Sequence, residues 1–300
     1  METLIHPAKG SLSFSFKKSI WFYLMVSPSF FIDFSLLKSV DYFLFSGITF
    51  LTVSLGHSIG LHRGVIHKAY KTSPLFRNIL VYLFVLTGLG SPITWMKLHY
   101  YRDYWQNKQD CPDYFAYNHS LIKDFWWYLH LQFISSNSYI YNIPKEDLEN
   151  KWFNWLHNTW YLHTIFFMSI FYIFFGLNTV LFLFCFRISL IIIGHWYIGY
   201  ACHKYGYERF KIHKAKESGY NDFILGLFSF GEGFHNNHHG HPTSARFSIA
   251  WYEIDLSWYC ILLLEKLGLI YEVKNPKTKT TLKKTSKKNK RLIWKWPRII

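Results

Sequence analysis

Apolar residues in this chain gather in long runs rather than in the three-to-four-residue rhythm of a surface helix. Four runs approach the roughly 20 residues that cross a bilayer at about 1.5 Å each. They are residues 20–37, 42–61, 156–175 and 176–202. Three of them carry polar or helix-breaking residues: Pro28 and Asp33 in the first, His157 and His163 in the third, Arg187 in the fourth. The connections at 38–41 and near Gly176 are too short for anything but tight turns. The pattern predicts an all-α integral membrane protein of four transmembrane helices, arranged as two hairpins. A fifth apolar run, 79–94, is too short to cross and is broken by Gly88, Gly90 and Pro92. It is expected to be interfacial or re-entrant.

Composition supports a lipid environment. Of 300 residues, half are apolar, 21% aromatic and only 17% charged, against about a quarter charged in soluble domains. The net charge of +15 does not imply a nucleic-acid partner, because residues 271–300 hold eleven Lys and Arg against one acid. That tail and Lys17–Lys18 flank apolar segments, and the positive-inside pattern then places both termini in the cytoplasm. The expected organisation is a cytoplasmic segment at 1–19, a membrane domain at 20–275 and a basic, disordered tail at 276–300. Residues 1–19 hold no small-residue cleavage site, so no removable signal peptide is expected. Four scattered cysteines form no CxxC pair, which excludes a disulfide framework or thiolate zinc site.

The candidate chemistry lies in the sixteen histidines. His235, His238 and His239 stand at i, i+3 and i+4, one face of a helix. His62 and His67 are five apart where the second run ends, a weak signal alone. His99 follows Trp95 by four, and His203 closes the fourth run eight residues after His195. In the two-hairpin topology, His62, His67, His99, His203, His235, His238 and His239 all fall on one side of the membrane. Satisfied core histidines explain any one of these but not seven together, whereas imidazoles gathered on iron, zinc, copper or nickel explain the group.

These residues resemble the stearoyl-CoA-type membrane fatty acyl desaturases. His62–His67 matches that family's first histidine box, and Gly231-Glu232-Gly233-Phe234-His235-Asn236-Asn237-His238-His239 matches its third in full. The likeness runs from about residue 40 to 275. It implies four transmembrane helices under a cytosolic helical cap that carries the metal site. It also implies non-haem iron (two ions in the family, one possible here), O2, and a double bond introduced into a fatty acyl chain. A related hydroxylase and a non-catalytic lipid- or metal-binding relative are the alternatives. The implied metal ligands are His62, His67, His99, His203, His235, His238 and His239.

The second box departs from the family. It reads His99-Tyr100-Tyr101-Arg102-Asp103 where HxxHH would stand, so Asp103 is a candidate carboxylate ligand while Arg102 cannot ligate. Arg102 is expected instead to pair with Asp103, Asp110 or Asp113. Gly199 stands where those enzymes carry an Asn that holds a metal-bound water, and His195 is a possible extra ligand. Trp95, Lys97 and Trp196 match substrate-contacting positions, but Leu98 replaces an acid, so the acyl carrier (CoA, lipid or carrier protein) stays open. The chain has no His-Pro-Gly-Gly haem segment, which implies an external electron donor such as cytochrome b5 or ferredoxin.

Overall fold

The computed structural model describes residues 10–276 other than 107, 213, 214, 216 and 217, together with 294 and 295. The expected disordered tail therefore lies outside the described residues except at Trp294–Lys295, which pair as a short strand with Gly206–Tyr207.

The main helices are α1 (Phe16–Ser29), α2 (Ser39–Ile66), α3 (Pro74–Val85), α4 (Pro92–Gln106), α5 (Leu121–His130) and α6 (Lys151–Ala201). Shorter α7 (Phe223–Phe228), α8 (His235–Gly240) and α9 (Leu256–Lys266) follow. Two of these, α2 and α6, are long and apolar enough to cross a membrane. The first expected span is helical for only 14 residues, α1, about 21 Å. It stops where Pro28 and Asp33 disfavour further α winding. The run at 79–94 breaks where expected, with Gly88 and Gly90 at positive φ between α3 and α4.

α6 is 51 residues long but turns back at Gly176, whose φ of 78° and ψ of 175° are not helical. Its two arms then pack on each other, as Phe171 against Phe184 shows at 5.4 Å between rings. The turn between α1 and α2 meets the Gly176 turn through a reciprocal pair. Asp33 N donates to Asn178 Oδ1, and Asn178 Nδ2 donates to Asp33 O, each at 2.9 Å. Phe30, Phe31, Phe43, Ile173 and Phe174 near these turns are each exposed by three quarters or more. So large an apolar surface suits lipid rather than water.

From Phe50 to Ile66, α2 is wound with i→i+5 hydrogen bonds. Its Gly56 and Gly60 press against α3, where a Cβ would come within 2.4 Å of the Leu83 backbone or 2.8 Å of Leu80. Only bare backbone lets α3 approach so closely. The N-terminal strand β1 (Ser11–Phe14) pairs antiparallel with β3 (Leu131–Ile134), and β2 (Lys71–Thr72) with β4 (Ile270–Tyr271).

Candidate metal centre

The winding of α2 sets the first histidines. In an α-helix, residues five apart point about 140° away from each other. With i→i+5 bonding, five residues make about one turn, and His67 N indeed bonds His62 O at 3.1 Å. His62 and His67 therefore return to one face, with ring centroids 4.8 Å apart. His99 of α4 and His238 of α8 complete a group of four whose ligand atoms all lie within 4.8 Å of one another. A second group joins His203, His235 and His239 by the same measure. All seven expected histidines are thus gathered, but into two sites.

The third box is held by what stands between and before its histidines. Asn236 Oδ1 accepts from Arg209 N and Phe210 N at 2.7 Å each. Asn237 accepts from Asn221 and donates to Glu253. Gly231 has φ of 100°, and a Cβ there would lie 2.2 Å from Asp255 Oδ1; a Cβ at Gly233 would lie 2.3 Å from Gly226 N. Arg63, beside His62, forks onto Asp255 at 3.0 and 3.1 Å and also donates to Ala245 O.

The four-histidine site fits a transition metal. His62 Nε2, His67 Nε2 and His238 Nδ1 are buried ring nitrogens without a hydrogen-bond partner, a cost of about 1–3 kcal/mol per group that a metal would relieve. Burial lowers His67 to about 3 and holds His238 well below the usual range, so both are neutral and ligand-ready. Two carboxylates stand behind: Glu232 Oε2 is 2.7 Å from His62 Nδ1, at ion-pair distance though not aligned as a hydrogen bond, and Asp103 Oδ2 is 3.2 Å from His99 Nδ1. Burial raises the Asp103 carboxyl, but the facing His99, His67 and His239 outweigh it and hold it low.

Several expected residues fall elsewhere. Asp103 lies outside the four converging nitrogens, beside His99. His195 belongs to neither group; its Nδ1 meets the Tyr128 hydroxyl at 2.8 Å. Among the described residues no ion pair joins Arg102 to a carboxylate, and its Nε has no hydrogen-bond partner. It faces instead a cavity of about 240 Å³, shared with His235, His239 and Gly199. Trp95 lines that cavity, but Lys97 and Trp196 do not. Lys97 is two residues, about 200°, round α4 from Trp95, and the Trp196 indole turns away to donate to Asp124 Oδ1 at 2.7 Å.

Sequence reasoning missed Glu232, His57 and Gln106. Glu232 lies inside the matched motif. His57 precedes His62 by the same five residues that separate His62 from His67, so the period was present in the sequence. Its ring sits 4.8 Å from Trp95 and 5.2 Å from His195. Gln106, one turn beyond Arg102, reaches His203 Nε2 at 3.2 Å.

From Trp95 the cavity extends between α2 and α6, past Phe45, Thr49 and Val53 on one wall and Leu190 and Ile191 on the other. Arg187 lies at this wall, buried, and donates to Thr52 Oγ1 and to the carbonyls of Leu183 and Leu86. A largely apolar slot that ends on clustered imidazoles defines an enzyme acting on a long apolar chain at a metal.

The chain belongs to the fatty acid desaturase family, whose model matches residues 42–261. It is 32% identical over 241 residues to a Delta-9 desaturase-like protein 5 of Arabidopsis thaliana, covering 77% of this chain and 76% of the relative. It is 29% identical over 265 residues to the Delta-9 acyl-lipid desaturase 2 of that plant, covering 85% and 83%. An acyl-CoA 5-desaturase of Anemone leveillei is 30% identical over 234 residues, covering 74% and 68%. The chain is accordingly a fatty acyl desaturase-type oxidoreductase, of a family that uses non-haem iron.

Proposed function

We propose that this protein introduces a double bond into a fatty acyl chain, with iron held by His62, His67, His99 and His238. The observation that carries this reading is the convergence of four imidazoles, of which His62 and His99 line the polar end of a largely apolar slot. The balanced reaction takes one saturated –CH2–CH2– unit, O2, two electrons and two protons to –CH=CH– and two waters. Bound iron supplies the O2 activation that no side chain can provide.

The chain's own residues do the rest. Glu232 and Asp103 orient His62 and His99 and supply negative charge behind a cation. Trp95 stands beside His57, His62, His99 and His195, walling the acyl chain against the histidines. The slot between α2 and α6 fixes which methylenes reach them and excludes water. The acyl chain is linked to CoA, lipid or a carrier protein, and electrons come from an external donor such as cytochrome b5 or ferredoxin.

The proposal extends to topology. The two arms of α6, α2, and α1 continued to Leu36 form four crossings as two hairpins, with both termini and the histidines on the cytoplasmic side. Support comes from the exposed phenylalanines around the two linked turns and from the basic flanks at Lys17–Lys18 and in the tail.

Lipid analysis of cells expressing the chain tests the reaction. A new double bond that disappears in His238→Ala is expected. A hydroxylated product would reassign the enzyme, and unchanged lipids with no iron bound by the purified protein would refute the proposal.

A further inference from the structure

Two imidazoles in the slot belong to neither group of converging ligand atoms. His57 of α2 and His195 of α6 meet edge to face, with ring centroids 5.2 Å apart and ring planes at 89°. Both line the cavity, beside the apolar wall of Val53, Leu190 and Ile191. His57 is only 4% exposed, and its Nε2 is buried without a hydrogen-bond partner. His195 is held through Nδ1, which meets the Tyr128 hydroxyl at 2.8 Å, so Nε2 is its other polar atom.

Such a pair does not suit a passage for methylenes alone. A polar atom buried without a partner carries a cost that a hydrocarbon chain does nothing to relieve. Within the spans proposed above there is no bulk water to relieve it either. His57 packs between Phe84, at 6.1 Å, and Trp95, at 4.8 Å, a position that an apolar side chain would fill without that cost.

The place of the pair along the slot decides which part of the substrate it meets. Trp95 lies against His57 and His195, at 4.8 and 5.7 Å, and also against His62 and His99, at 5.9 and 5.3 Å. One indole therefore stands between the pair and two histidines of the metal site. A group held by the pair falls within a few carbons of the bond that reacts.

The chemistry of that group follows from imidazole. In its neutral form the ring offers one N–H donor and one acceptor nitrogen, assigned by the tautomer. A hydroxyl both donates and accepts, so it satisfies either tautomer of either ring. A carbonyl or ether oxygen only accepts, and a carboxylate or ammonium would bring a charge into an apolar slot at a much larger cost.

We propose that the preferred substrate is a hydroxylated acyl chain, whose mid-chain hydroxyl is hydrogen-bonded by His57 and His195 beside the methylenes that are desaturated. The hydroxyl takes no part in the reaction: –CH2–CH2– becomes –CH=CH– as above, and the C–OH bond is carried through unchanged. His57 and His195 are specificity-determining residues. This names the substrate class of the desaturase reading and rests on it.

The test is competition in cells expressing the full-length chain. Stearic acid is supplied in equal amount with each of a set of monohydroxystearic acids that carry the hydroxyl at successive mid-chain carbons. The cell's own enzymes then attach both acids to every available carrier. Gas chromatography with mass spectrometry gives the ratio of desaturated hydroxy product to desaturated plain product, corrected for uptake. At least one hydroxyl position should be preferred by about tenfold or more, because a site built to hydrogen-bond a hydroxyl rejects the chain that lacks it. His57→Leu and His195→Leu should each lower that ratio to about one or less. His57→Gln, which keeps a donor and an acceptor, should restore part of it. Immunoblotting shows whether each variant accumulates, and the wild-type ratio is decisive even where one does not. Stearic acid desaturated as well as or better than every hydroxy acid would overturn the hydroxyl proposal while leaving the desaturase reading intact. A preference that survives both leucine variants would do the same. No desaturated product from any acid would overturn both.

Discussion

Arg63 and Asp255 meet as a two-pronged ion pair, at 3.0 and 3.1 Å, with both side chains wholly shielded from solvent. Asp255 also caps α9 through Trp258 N and accepts from Phe247 N. The pair thus joins the end of α2, which carries His62 and His67, to the loop after α8, which carries His238. Breaking it by Asp255→Ala leaves a buried guanidinium faced only by the more distant Glu232 Oε1, at 3.8 Å. A loss of about 3–5 kcal/mol is expected, seen as a lowered Tm in detergent and as reduced iron retention.

Gly231 should tolerate no side chain. Its φ of 100° and the 2.2 Å approach to Asp255 Oδ1 make Gly231→Ala strained and clashing at once, costing at least about 1–3 kcal/mol from backbone strain alone. Gly47 is the control: a Cβ there meets nothing within 4 Å. Thermal melts should show Gly231→Ala strongly destabilised and Gly47→Ala unchanged or slightly improved.

Glu232→Gln keeps the shape of the residue and the Ser58 hydroxyl contact at 2.6 Å but removes the charge beside His62. Partners of metal-ligating histidines typically carry 10–100-fold in metal affinity. Fe(II) competition titration should show a weakening of about that size. An unchanged affinity would show that Glu232 does not act on the metal.

Val53 lines the slot together with Leu190 and Ile191. Val53→Trp should shorten the accessible depth, and gas chromatography of product fatty acids should show a shift toward shorter chains with iron content unchanged. The outcome separates a slot that measures chain length from a cavity that merely adjoins the site.

Much of this architecture was legible in the chain itself. The hairpin turn at Gly176 and the break at Gly88–Gly90 follow from glycines interrupting apolar runs, and the third box follows from α-helical spacing at His235, His238 and His239. The first pair was harder, because HxxxxH makes one face only in a helix wound wider than α, and that winding depends on how α2 packs against α3. The placement of Asp103, Trp196 and Lys97 was not legible, since each depends on a rotation about its helix or on a distant partner. Trp196, for one, turns toward Asp124 on α5, 72 positions earlier in the chain.

The five-residue turn of α2 has a further consequence. Histidines 57, 62 and 67 are placed by the pitch of the backbone, so the pitch itself is a working part of the site. Deleting one residue between His62 and His67, or rewinding Phe50–Ile66 to ordinary α-helix, would swing the histidines out of line without altering one imidazole. Sequence comparison that scores only the histidines would count such a chain as intact, although its ligands would no longer meet.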